Sequence, residues 1–255
     1  MEDHIRSSVR LLRLIRDETD AIGVAVSFGK DSLATVDLCC RLFPRVEAYY
    51  LYRVRGLEIV AEWAEALRAR CGVVTRMYPH FDLSRCYRHS VLQPIYVGRK
   101  KVPAIKMADV ERKFRQDAQV EWIAYGWRRS DSRSRALIMK ANAGYDIKGK
   151  RVFPLRFWRR QNVYDYLAAR GIPLPDGLGR KEQGGLDFHP AALRALSPED
   201  RERWLADFPL SEIQLPEKIL RRVEESKPAT QGDEGQRARM RQHKTKGASE
   251  PGTRM

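Results

Sequence analysis

Short apolar runs and stretches of helical period alternate along this chain. From His4 to Thr19, Ile5, Val9, Leu12 and Ile15 recur at helical spacing with arginine and aspartate between them, which predicts an amphipathic helix. Gly23-Val24-Ala25-Val26 reads as a buried strand and gives way to a helical pattern from Leu33 to Leu42. The same exchange repeats downstream. A β-rich run, Val46 to Tyr52, precedes Leu57 to Arg70, where Val60, Ala64 and Leu67 share one face, and Val73 to Tyr78 is again strand-like. Ile105 to Asp117 returns to helix and Val120 to Tyr125 is a short apolar strand ending at Gly126. Val152 to Leu155 reads as a last strand, and Asn162 to Leu167 as a capped helix that ends at Gly171. Strands that alternate with helices of this length need crossover connections, so the pattern predicts an α/β fold with a parallel sheet covered by helices on both faces.

Three stretches break the rhythm. Pro79 to Pro103 holds three prolines, one glycine and a basic knot at Arg99-Lys100-Lys101, and reads either as a lid or substrate-facing insertion or as a plain surface excursion. Ile172 to Gly177 must turn; beyond it Ser197-Pro198-Glu199-Asp200 starts a helix with proline at its first position, and Ser211 opens another through Val223. From Glu225 onward the apolar period is lost. Residues 1–225 are therefore expected to form one domain, and 226–255 a disordered basic tail.

The junction Ser27-Phe28-Gly29-Lys30-Asp31-Ser32 carries the first candidate chemistry. A strand that turns through a glycine into a helix N-terminus leaves backbone N–H groups unpaired at the positive end of the dipole, where an anion is stabilised. Lys30 adds a full charge, Ser27 and Ser32 offer hydroxyl donors, and Asp31 can cap the helix or help hold a magnesium ion carried by a polyphosphate. Two commoner phosphate loops fail on the letters. The Walker pattern needs four residues before its Gly-Lys and a Ser or Thr after it, whereas five separate Gly23 from Gly29 and Asp31 follows Lys30. The dinucleotide pattern lacks its companion glycines.

A second cluster, Gly126-Trp127-Arg128-Arg129-Ser130-Asp131-Ser132-Arg133-Ser134-Arg135, also follows a strand directly. Open parallel sheets bind ligands outside the carboxyl ends of their strands, and guanidinium groups offer paired hydrogen bonds to phosphate oxygens. A triphosphate or a leaving pyrophosphate suits such a cluster.

Charge widens the choice of partners. Among 255 residues the formal net charge is +15, so polyanions are drawn to the surface, with DNA or RNA the first candidates and nucleotides next. Part of the excess lies in the tail, where seven basic residues face three acidic ones, a net of +4 that would add a salt-sensitive term to nucleic-acid affinity. No apolar run approaches the ~20 residues of a membrane span. The N-terminal stretch is charged throughout, and a cytoplasmic, non-membrane protein is expected. Cys39, Cys40, Cys71 and Cys86 form no Cys-x-x-Cys pair; the first three fall on helical segments and Cys86 on the loop, and none is expected to be essential.

With these pieces placed, the loop resembles the SGGxDS loop of the PP-loop ATP pyrophosphatases, with Phe28 in place of the first glycine. Gly126-Trp127-Arg128-Arg129 through Ser132 and Arg135, then Pro154-Leu155, Asn162 to Leu167 and Ile172-Pro173, resemble the phosphoadenylyl-sulfate reductase branch, including the reductase-like proteins of phages and DNA-modification gene sets. The resemblance implies a Rossmann-like five-stranded sheet of the adenine nucleotide alpha hydrolase kind, with ATP or an adenylyl nucleotide and magnesium at the first loop. It implies that Ser27, Phe28, Gly29, Lys30, Asp31, Ser32, Tyr52, Gly126, Ser132 and Arg135 meet the nucleotide. Lys30, Asp31, Arg128 and Arg129 would carry the catalysis, with Asp31 touching magnesium indirectly. One departure redirects the expected chemistry. Reductases of this branch carry a catalytic cysteine in a late Glu-Cys-Gly motif, and this chain has no cysteine after Cys86. The expectation is therefore adenylyl transfer from ATP, with release of pyrophosphate, to an acceptor in nucleic-acid modification. The alternatives are a sulfonucleotide reductase that borrows a thiol in trans and a non-catalytic nucleotide- or nucleic-acid-binding subunit. A homodimer or a partner enzyme would fit any of these.

Overall fold

The computed structural model describes residues 2–92, 103–141, 143–174 and 196–212, together with Leu186 and Leu193. The expected boundary at residue 225 and the basic tail lie outside them. In chain order the described elements are α1 (Glu2–Arg16), β1 (Ala21–Val26), α2 (Lys30–Cys40), β2 (Arg45–Tyr52), α3 (Glu58–Cys71), β3 (Val74–Pro79) and α4 (Leu83–Arg88). There follow α5 (Met107–Ala118), β4 (Trp122–Tyr125), α6 (Arg133–Ala141), β5 (Tyr145–Asp146), β6 (Arg151–Val152), α7 (Arg160–Ala169) and α8 (Pro198–Asp207), then a 3-10 turn at Pro209–Glu212.

The strands form one sheet in the order β3-β2-β1-β4-β6-β5. Five of them are parallel, as expected; the sixth, β5, pairs antiparallel with β6 and corrects the expected count and the all-parallel reading. Two residues per strand are too few to write a period, and Lys150, at φ 47, closes the hairpin between them. The expected last strand also stops early, because the chain turns at Pro154.

Strand periodicity sorts the core into two layers. Ile22, Val24 and Val26 of β1 face one cluster with Val36, Trp63 and Trp158, while Ala21 and Ala25 face a second with Phe114 and Phe153. Gly23 is on the second face because Phe114 presses there; a Cβ at Gly23 would lie 2.4 Å from its ring. A central strand buried on both faces must read as the continuous apolar run seen in the sequence.

The chain leaves β1 for β2 and β3 on one side, then crosses back to β4 on the other. Strand order therefore reverses between β1 and β4, and in open α/β sheets ligands bind outside the carboxyl ends of the strands at such a point. The two loops singled out in the sequence follow these two strands.

Other expectations are revised locally. The 79–103 stretch is not wholly aperiodic, since α4 lies within it and carries Cys86, which is buried rather than on a loop; residues 93–102 lie outside the described set. Ser211 lies in the 3-10 turn and accepts a hydrogen bond from Trp204 Nε1 at 3.1 Å, and the rest of the helix expected from Ser211 through Val223 lies outside the described residues. The helix at Pro198 forms as expected, with Ser197 accepting from Asp200 N. Its Asp200 is fully buried and accepts from the N–H groups of Glu58 and Ile59 at 2.7 and 2.9 Å. Leu57 gives α3 no side-chain cap, so Asp200 serves as one from a distant helix. Asp200→Ala should lower stability by about 2 kcal/mol, read as a lower denaturation midpoint at unchanged slope.

Candidate functional site

Only three residues join β1 to α2, and the turn is made by Phe28 at φ 57, in the left-handed region. Its ring is fully buried, 5.3 Å from Tyr50 and 5.7 Å from Trp63. Phe28 can thus offer a ligand only its backbone. Gly29 stands at the N-cap of α2 without a side-chain cap, and the first helical bond runs from Leu33 N to Gly29 O at 3.1 Å. The first-turn N–H groups of α2 consequently have no helical acceptor, an arrangement that favours an anion. Ser32 Oγ donates to Gly29 O at 2.8 Å and accepts from Ser27 N at 3.3 Å, bracing the loop from within.

Gly126, at the end of β4, lies against this loop. A Cβ there would sit 2.7 Å from Asp31 O and 2.8 Å from Asp31 C, closer than side chains approach backbone, so glycine is what lets the two strand ends meet. The strand behind it is fixed by a buried network in which Tyr125 donates to Glu111, Tyr49 and Tyr125 hydroxyls lie 2.8 Å apart, and Arg151 braces Glu111 at 2.9 Å. Gly126→Ala must push Asp31 away. We expect nucleotide affinity to fall about tenfold, in line with an overpacking cost of about 1–3 kcal/mol, measured by equilibrium titration against wild type.

Across that contact runs a chain of alternating charge. Lys30 Nζ meets Asp31 Oδ2 at 2.8 Å, and Arg128 Nε lies 3.2 Å from Asp31 Oδ1. Arg128 Nη2 reaches Asp131 Oδ1 at 2.8 Å, and Arg135 Nη1 meets Asp131 Oδ2 at 2.8 Å. Lys30 and Arg128 are only 7% and 8% exposed, so each is a cation held in low dielectric, where its field acts more strongly than in water. Trp127 stacks on Phe153 with centroids 5.5 Å apart and supports the Arg135 guanidinium 4.9 Å from its own ring.

The structure thus brings together Ser27, Gly29, Lys30, Asp31, Ser32, Gly126, Arg128 and Arg135, with the backbone of Phe28. Ser132 stands at the start of α6, accepting from Arg135 N at 3.2 Å. Tyr52 ends β2, two residues past the Tyr50 that pairs with Val26, and flanks the loop on the side away from Gly126. Arg129 separates from Arg128: it is exposed, with its guanidinium 5.8 Å from the Phe157 ring. Two members were missed in the sequence. Asp131 positions two arginines, and its place three residues after Arg128 and four before Arg135 is a helical pairing signal that could have found it. Tyr164, whose ring lies 6.0 Å from Lys30 Nζ, carried no such signal.

Among the described residues, no group of three or more His, Cys, Asp or Glu side chains could hold a metal. Asp31 offers one carboxylate, with Lys30 and Arg128 already against its two oxygens. This donor set does not fit a resident ion, but it fits a magnesium ion carried in on phosphate oxygens with Asp31 as a single protein ligand. The thiols are poorly placed for nucleophilic chemistry: burial raises the pKa of all four cysteines, that of Cys40 to about 12 with Cys71 contributing.

A mostly parallel α/β sheet with an uncapped helix N-terminus and buried cations at its switch point defines the class. Residues 21–176, more than half the chain, match the family described as Phosphoadenosine phosphosulfate reductase domain, and the chain belongs to that family, a branch of the PP-loop superfamily. Among solved structures it is similar to phosphoadenylyl-sulfate (PAPS) reductase from Candida auris in its phosphate complex. That match has 14% identity and a TM-score of 0.48, and covers 70% of this chain and 88% of the other. No curated protein matches the chain. Among the described residues, no helix is long and apolar enough to cross a membrane.

Proposed function

We propose that this chain is an ATP pyrophosphatase-type adenylyltransferase that activates an acceptor in nucleic-acid modification. The observation that supports this most is the pair of buried cations, Lys30 and Arg128, held by Asp31 beside the uncapped N-terminus of α2. An acceptor oxygen attacks the α-phosphorus, a new O–P bond forms, the bond to the β-phosphate oxygen breaks, and pyrophosphate leaves with the electron pair. The acceptor's proton passes to solvent. The chain needs no covalent nucleophile for this step; it needs fixed positive charge where negative charge grows. First-turn N–H groups of α2 bind the phosphates, and Lys30 and Arg128 release Asp31 to meet the leaving oxygens. Asp131 keeps Arg128 and Arg135 aimed. Magnesium supplies Lewis-acid neutralisation when it arrives with the nucleotide, and Asp31 is the residue that would hold it.

Membership of the reductase family favours one other reading, in which a sulfonucleotide occupies the loop and a thiol in trans attacks it. The chain's own thiols do not support a version without a partner, given their raised pKa values.

ATP labelled at the α-phosphorus, incubated with single-stranded DNA, RNA or small acceptors, separates the readings. The expected result is label on an acceptor, or as AMP, with equal release of pyrophosphate. Reduction of a sulfonucleotide by an added dithiol carrier, with no label transfer from ATP, overturns the proposal in favour of the second reading.

A further inference from the structure

Arg156 lies outside the machinery described above, in the turn that follows β6. Its Nε and Nη1 atoms are buried, and among the described residues neither has a hydrogen-bond partner. Burial lowers its pKa, and among the described residues no carboxylate opposes the shift. A guanidinium in this position is costly unless something anionic completes it.

Its surroundings are built. The side chain crosses Gly144, where a Cβ would fall 2.1 Å from Nη1, so the backbone after α6 leaves room for it. Arg156 O accepts from Arg129 N at 3.1 Å, which fastens this turn to the arginine segment after β4. The two side chains then meet at one ring: Phe157, 46% exposed, lies 4.7 Å from the Arg156 guanidinium and 5.8 Å from that of Arg129. An aromatic surface of this kind orients guanidinium groups while leaving their N–H forks free. The position is also distinct from the nucleotide loop. β4 separates β6 from β1, so the two strand ends stand about 10 Å apart at the usual interstrand spacing.

We propose that Arg156 and Arg129 form a second oxyanion subsite that holds a phosphate-ester group of the acceptor. This rests on the adenylyl-transfer reading, since it assigns that reading's acceptor a chemical class. With the loop filled by ATP, a phosphate at Arg156 places the acceptor along the same carboxyl edge of the sheet, beside the arginine segment. It also accounts for the exposed position of Arg129, which its neighbour Arg128 does not share.

The test titrates the full-length protein with a fluorescent short oligothymidylate, with a non-cleavable ATP analogue at saturation. Arg156→Gln should weaken oligonucleotide binding about tenfold or more, as loss of a charged hydrogen bond implies. It should also lower the slope of log affinity against log salt by about one. Arg156→Lys should keep the slope and recover only part of the affinity. Inorganic phosphate should compete with the oligonucleotide in wild type and not in Arg156→Gln. If it does not compete in wild type, the contact is to the polymer as a whole and the phosphate subsite is refuted.

Affinity for the ATP analogue, measured separately, should be the same in both variants. Failure of the analogue to bind at all would sink the adenylyl-transfer reading, whereas an unchanged oligonucleotide affinity and slope in Arg156→Gln would sink the subsite alone. A purely structural Arg156 predicts a lower melting temperature for the Gln variant; the subsite predicts an equal or higher one in ligand-free protein.

Discussion

Lys30→Ala should reduce ATP cleavage by about two to three orders of magnitude, the usual loss when one preorganised charge-stabilising donor is removed, and should leave the protein folded. The expectation follows from where the charge sits. Lys30 is nearly buried at the first turn of α2, and its ammonium is held by Asp31 rather than spread into solvent. A cation fixed in low dielectric does not reorganise when pyrophosphate departs, so its contribution is made largely in the transition state. Asp31 keeps Arg128 as its counter-ion in the variant, which is why the fold should survive. Single-turnover rates at saturating ATP and a melting curve measure the two halves. A variant that melts like wild type and cleaves ATP at a similar rate would remove Lys30 from the mechanism.

Phe28→Gly should destabilise the protein by about 1–4 kcal/mol, although it restores the residue that the PP-loop pattern carries there. A glycine relieves left-handed backbone strain of about 1–2 kcal/mol at φ 57. It also deletes a fully buried ring between Tyr50 and Trp63, and truncating a buried phenylalanine costs about 3–5 kcal/mol. The core term wins. Urea denaturation should show a lower midpoint at similar slope; a more stable Gly variant would mean that the ring is not what holds this turn.

Phe28 also marks how far the sequence could be read. The strand, the loop and the start of α2 were legible because β1 is buried on both faces and therefore unbroken in its hydrophobicity, and because Gly29 and Lys30 fall at its end. That the Phe28 ring belongs to the core, leaving only its backbone to a ligand, was not legible, since a left-handed phenylalanine is decided by the cavity that receives its ring. Parallel pairing followed from the alternation of strands and helices, but the reversal of order between β1 and β4 did not, because no local signal states which neighbour a strand will take. A two-residue strand such as β5 and a six-residue helix such as α4 are too short to express their periods. Asp131 could have been found from its spacing to Arg128 and Arg135. Arg156 could not: the room its side chain occupies is left by Gly144, which belongs to a different connection.

The most direct test of the central claim is the identity of the phosphorus products. ³¹P NMR of full-length protein with ATP, magnesium and a single-stranded oligonucleotide should show the β- and γ-phosphorus together in pyrophosphate and the α-phosphorus as AMP or an adenylyl ester. With Lys30→Ala the same products should form about two to three orders of magnitude more slowly. Formation of ADP and inorganic phosphate by wild type would contradict the account, because it would place bond cleavage at the γ-phosphate instead of at the α-phosphorus.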